Sequence, residues 1–241
     1  MDILFLSFLL FAGTSLGSLL AVFLRRPYLG VGVSLSFTGG VMLVASFTSL
    51  ILPGLEVGGF LQVALGIVLG FLVMALLEHG VPHEHTLKGR EGPSSQRIGG
   101  LYLIVMAVVL HNVPEGLSVG IATAFSTEKG FETAVAMALQ DVPEGLVVSL
   151  PLMLTTGRLV TPTLVGFLSG ILEALFALVG FVFFEAFKSL LAVGLGFGGG
   201  AMVYITAKEG FPEAYAEGKH TQSTVAFLLG LLLMLFLDTS L

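Results

Sequence analysis

The chain has 241 residues, 55% of them hydrophobic and 11% charged, with a mean hydropathy of +1.01 and a formal net charge of −6. Soluble domains carry about a quarter charged residues, so this composition excludes a water-soluble globular protein and marks an integral membrane protein. There is no cysteine, which excludes thiolate metal sites, disulfides and redox pairs, and nothing resembles a basic nucleic-acid patch.

A spanning helix needs about 20 apolar residues. Runs of that length predict eight spans, at 3–24, 29–53, 58–78, 99–124, 131–155, 159–185, 189–208 and 222–238. The first begins with Asp2 rather than a basic segment, and Arg25 and Arg26 follow it. It therefore reads as a span, not a cleaved signal. Frequent glycine suits close helix packing. The runs are too long and too uniform for the alternating strands of a barrel. The expectation is an all-α membrane protein forming one transport domain over 1–241.

Basic residues set the orientation. Arg25, Arg26, Lys88, Arg90, Arg97, Arg158, Lys208 and Lys219 fall on one side, and Lys129 and Lys188 on the other. Eight against two places both termini outside the cytoplasm, in a cell membrane, with the longest loop, 79–98, inside. That loop is polar and rich in Pro, Gly and Ser, so a flexible segment is expected. Its His79, His83 and His85 either bind a metal weakly or belong to an ordinary solvated loop.

The fourth span carries LHNVPEGLSVG and the fifth LQDVPEGLVVS. Residues three or four apart share a helix face. His111, Asn112 and Glu115 therefore meet on one side, and Gln140, Asp141 and Glu144 hold the matching places. Pro114 and Pro143 each remove a backbone donor, which predicts a kink and a freed carbonyl at Leu110 and Leu139. Gly116 and Gly145 predict close approach of a neighbouring helix. Glu173, in SGILEALFALVG of the sixth span, adds a fourth acid.

A carboxylate at the bilayer centre costs about 2.5–3.5 kcal/mol on the lenient insertion scale, so four cost on the order of 10 kcal/mol. No Lys or Arg lies at mid-depth in these spans. Protons or bound cations must neutralise them. The mixed nitrogen and oxygen set suits a divalent ion of the zinc, iron, manganese or cadmium kind. Four carboxylates match the charge of two such ions. Packing around ordinary proline kinks is the bland alternative, and it leaves the charges unexplained.

These paired motifs resemble the fourth and fifth helices of the ZIP (Zrt/Irt-like) family of divalent metal transporters, and the Gln-Asp start of the second copy is similar to its GufA-type branch. The resemblance covers the whole chain. It implies a metal site, often binuclear, between spans 4, 5 and 6. One ion would sit on His111, Glu115, Gln140 and Glu144. The second would use Asn112, Asp141 and Glu173, with Glu115 and Glu144 bridging. It also implies an outer pathway along GGVMLVASFTSLILPGLE, lined by Met42 and Ser49 with Glu56 at the mouth. For these three, plain packing and an exposed loop acid stand as the alternative. In the seventh span GGGAMVYITAKEGFPEA carries Lys208-Glu209 where the family commonly has His-Glu. Lys208 then fills the space of an ion, tethers Glu209, or reaches to the interface, and an exit site at Glu209 is in doubt.

The expected function is uptake of divalent metal, zinc foremost, with the metal as substrate and no catalytic cofactor. Spans 4 and 5 are read as a pseudo-symmetric pair within inverted repeats, in a block moving against the rest. The other readings are a proton-coupled carrier of another solute and a membrane metalloenzyme. The latter lacks the H-E-x-x-H helix of a zinc protease. The partners are metal ions and the bilayer; a homodimer is left open.

Overall fold

The computed structural model describes residues 2–24, 31–85, 89–91, 100–216 and 218–240. The side chains of 83–91, 100–105, 107–109, Glu209 and a few other positions lie outside that description. In chain order, α1 covers Ile3–Leu24 and α2 Val31–Ala45. A wide π turn at Ser46–Ile51 continues α2 into α3, Leu52–Gly80. Then come β1 (His83–His85) and β2 (Gly89–Glu91), followed by α4 (Gly100–Phe125), α5 (Thr127–Thr156) and α6 (Val160–Ala186). The last part is α7 (Leu191–Ile205), a second π turn at Thr206–Gly210, α8 (Phe211–Ala216) and α9 (His220–Ser240).

Helix ends fall within a few residues of the apolar runs, with three instructive differences. The helical stretch Gly32–Gly80 is 49 residues long, about 73 Å at 1.5 Å per residue and more than twice a bilayer. It is broken at Gly59, whose φ of 73° and ψ of −178° no L side chain adopts easily. The break falls at the second residue of the third expected span, 58–78, so the second and third expected spans part there. Residues 79 and 80 belong to α3 rather than to the polar loop. The loop itself holds a small antiparallel hairpin pairing His83 with Glu91 and His85 with Gly89. A polar stretch has no apolar face to pack, and here its backbone groups pair with each other instead.

Among the described residues, five stretches are long and apolar enough to cross a membrane: Ile3–Phe23, Gly32–Gly80, Val160–Ala186, Lys188–Lys208 and His220–Ser240. The 26 residues of α4 and the 30 of α5 are long enough too. Both are the carriers of the polar motif, and α5 is the least apolar of the long helices. Ser126 caps α5 by accepting from the Lys129 N–H at 3.0 Å, so one residue separates α4 from α5. Glu115 lies ten residues before the end of α4 and Asp141 fourteen after the start of α5, so about 15 and 21 Å from that turn. The two motif copies come to similar depth on adjacent helices.

Backbone-to-backbone seams group the helices. A Cβ at Gly116 or Gly120 of α4 would stand 2.2 Å from the carbonyl of Glu173 or Ala177 on α6. At Gly13 and Gly145 the same test joins α1 and α5, at Ala138 and Thr14. α3 meets α7 through Gly66, Gly70, Gly196 and Gly200, and α2 meets α9 through Gly40 and Gly230. One block is thus α1, α4, α5 and α6; the other is α2, α3, α7, α8 and α9. They touch chiefly where α2 crosses α5 and α4 crosses α7.

Candidate metal site

Pro114 lies inside α4 and Pro143 inside α5, each helix running on past its proline. The Pro114 carbonyl accepts the Ser118 hydroxyl at 2.6 Å. The expectation for the following glycines holds. Gly116 lets α6 in at Glu173 itself, and Gly145 lets α1 in at Thr14. Each close contact sits one residue after a motif glutamate, so the packing that joins the helices also fixes the acids.

The six motif residues and Glu173 converge. Asn112, Glu115, Gln140, Asp141 and Glu173 are buried, and His111 and Glu144 are half-buried. Carboxylate oxygens of Glu115, Asp141 and Glu144 all lie within 4.8 Å of one another. Glu115 is also acted on by the charge of Glu173, and Glu144 by the imidazole of His111. Zinc holds carboxylate oxygens at about 2.0–2.2 Å, so an ion among these three needs only a small contraction.

Few protein donors serve these acids. Gln140 Nε2 donates to Glu115 Oε1 at 3.1 Å. Asn112 Nδ2 reaches Glu173 Oε2 at 3.5 Å, and Thr14 Oγ1 donates to that same oxygen at 3.2 Å. Ser169 Oγ donates to Asn112 Oδ1 at 3.0 Å. Glu115 Oε2, Gln140 Oε1, both Asp141 carboxyl oxygens and Glu173 Oε1 are buried with no hydrogen-bond partner among the described residues. Buried acceptors are normally satisfied, and five buried oxygens without a donor suit a guest that accepts lone pairs. A cation does so.

Thr14 and Ser169 were not legible as site residues. Ser169 stands one turn before Glu173, a spacing that a search for polar neighbours would find. Thr14 is 159 residues from Glu173, and no local signal joins them.

The remaining candidates are more scattered. Met42 is buried in the apolar core, Ser49 lies in the first π turn with a buried, unpartnered hydroxyl, and Glu56 is exposed before the Gly59 break. His79 is exposed, with Nδ1 at 2.7 Å from the Ala75 carbonyl of its own helix. His83 and His85 stand on β1 and Glu209 in the second π turn, their side chains outside the described residues. Lys208 has a partner the sequence did not disclose: it pairs with buried Glu78 of α3, which also accepts from the Tyr204 hydroxyl. Its ammonium stands 5.6 Å from the Tyr204 ring centroid.

A family model described as ZIP Zinc transporter matches residues 78–238. Zinc transporter ZIPB of Bordetella bronchiseptica is 40% identical, over 96% of this chain and 78% of that protein. Zinc transporter GufA of Myxococcus xanthus is 36% identical over 80% of each. Zinc transporter ZupT of Stenotrophomonas maltophilia is 32% identical, over 86% of this chain and 84% of its own.

Proposed function

The chain belongs to the ZIP zinc transporter family, and from that premise we propose that it carries divalent transition-metal ions, zinc foremost, into the cytoplasm through a site between α4, α5 and α6. It acts as a transporter and not as an enzyme. The observation that carries this reading is the set of bare acid oxygens at mid-chain depth in α4, α5 and α6. Among the described residues no lysine or arginine forms an ion pair with Glu115, Asp141, Glu144 or Glu173. Uncompensated, their charges would oppose insertion by about 10 kcal/mol. Divalent ions remove that penalty while they are bound.

In this reading His111, Glu115, Gln140 and Glu144 hold one ion. Asn112, Asp141 and Glu173 hold a second, with Glu115 and Glu144 shared. The nitrogen of His111 favours zinc and its neighbours over magnesium or calcium. Eight passes, with α4 and α5 among them and the α2–α3 run crossing twice, return both termini to the outer face of a cell membrane. Ions enter past Glu56, Ser49 and Met42 and leave on the Lys208 side. An inside-negative potential favours inward movement of a dication by about 4.6 kcal/mol per 100 mV.

Access alternates when the block of α1, α4, α5 and α6 moves with its ions against the block of α2, α3, α7, α8 and α9. The glycine seams within each block support this, because backbones in contact move together. The test is uptake into liposomes loaded with a metal-sensitive dye. Wild-type protein should take up zinc, and His111→Ala and Glu144→Ala should not. Normal transport of zinc, iron, manganese and cadmium by both variants would show that the site is misplaced. Transport of another solute without any bound metal would favour a proton-coupled carrier.

A further inference from the structure

We infer that Thr14 of α1 is a positioning residue for Glu173, and that it thereby governs ion binding on the Asn112–Asp141–Glu173 side of the site. The inference rests on the reading of this cluster as an ion site and extends it to a helix that contributes no acid, amide or imidazole to it.

Glu173 is treated unequally at its two oxygens. Oε2 takes both donors, Thr14 Oγ1 at 3.2 Å and Asn112 Nδ2 at 3.5 Å. Oε1 is buried and has none among the described residues. Donors on one oxygen fix the carboxylate's rotation and leave the lone pairs of the other for a cation. Asp141 is the neighbouring acid. Metal ligands are commonly oriented in this way by groups behind them.

Thr14 is itself held. Its side chain is 2% exposed, and its β-branch restricts rotation about χ1 in a helix. Gly145 of α5 packs on its carbonyl, and Gly170 of α6 lets its Cβ approach, so two other helices fix the hydroxyl. That hydroxyl also lies 3.3 Å from the Leu10 carbonyl, the usual acceptor for a threonine inside a helix. One proton serves one acceptor at a time, and the bond to an ionised carboxylate is the stronger.

The experiment uses full-length protein in detergent, titrated with zinc against a competing chelator. The variants are Thr14→Val, Thr14→Ser, Glu173→Ala and the double variant Thr14→Val/Glu173→Ala. Thr14→Val should weaken the zinc ion that depends on Glu173 by about 10- to 100-fold, the usual loss when the partner behind a ligand is removed. Binding at His111 and Glu144 should be unchanged, which shows that the fold is intact. Thr14→Ser, which keeps the hydroxyl, should restore binding. The double variant should bind no more weakly than Glu173→Ala, because nothing remains to position. Wild-type binding by Thr14→Val, failure of serine to rescue, or additive losses in the double variant would overturn the inference and leave the transport reading standing. Wild-type protein that binds no zinc would overturn both.

Discussion

Lys129 at the start of α5 donates to Asp238 near the end of α9 at 3.0 Å, and to Glu132 of its own helix at 2.6 Å. The first contact joins the two blocks and the second does not. Lys129 is 25% exposed, Glu132 3% and Asp238 19%, so the cluster is only partly screened by solvent. If α5 travels relative to α9 during transport, the Lys129–Asp238 pair must open in each cycle. The chain has no cysteine, so Lys129→Cys/Asp238→Cys gives a background-free pair. A thiol-specific cross-linker of matching length should stop zinc uptake, with single-cysteine controls unaffected. Full uptake by the cross-linked protein would show that this end of α5 stays fixed against α9.

The seams next to the acids should be intolerant of a single methyl group. A Cβ at Gly116 would stand 2.2 Å from the Glu173 carbonyl, and one at Gly145 2.3 Å from that of Thr14. Backbone cannot move aside as a flexible side chain can, and overpacking typically costs about 1–3 kcal/mol. Gly116→Ala and Gly145→Ala should each lower thermal stability in detergent and reduce zinc uptake. Gly80→Ala has nothing within 4 Å of the new atom and should do neither. Unchanged uptake in both seam variants would mean that acid placement tolerates helix separation.

Glu78 and Lys208 offer a test of charge pairing on α3 and α7. Glu78 is buried, and Lys208 is 43% exposed. Lys208→Ala removes the ion-pair partner of a buried carboxylate, and a lost partner of a buried polar group costs about 1–3 kcal/mol, with solvent screening of the exposed ammonium favouring the low end. Thermal unfolding should show Lys208→Ala less stable than wild type. Lys208→Ala/Glu78→Gln should recover part of the loss, because the amide carries no charge. A double variant as unstable as Lys208→Ala alone would assign the effect to packing on Tyr204 instead.

Much of this architecture could be read before any coordinates. The limits of α1, α4, α6 and α9 lie within two residues of the apolar runs, because length and hydropathy dictate them. The paired Pro-Glu-Gly motifs named six of the seven ligand candidates and Glu173 stood out as an acid in the sixth apolar run, because ionised groups are rare in lipid and stand out by type. The relations between distant segments stayed hidden. Thr14 is an ordinary residue until Glu173 is brought beside it. Glu78 reads as the last residue of the third span, next to a polar loop, yet it is buried and paired with Lys208, 130 positions later. The apolar runs part between 53 and 58, yet the helix continues through that gap, and only the backbone angles place the break at Gly59. The division into two blocks follows from which glycine faces which carbonyl, and one-dimensional spacing does not carry that.

Inside each block the helices meet main chain to main chain, whereas between blocks larger side chains intervene, such as the Phe184 ring of α6 opposite Gly194 of α7. Backbone contacts do not change when residues elsewhere are exchanged. In the proposed cycle, the half that carries the acid cluster therefore has a frame that is insensitive to substitutions on the face it turns to the other block. On that reading, transport speed can drift through that surface while the choice of cargo stays put.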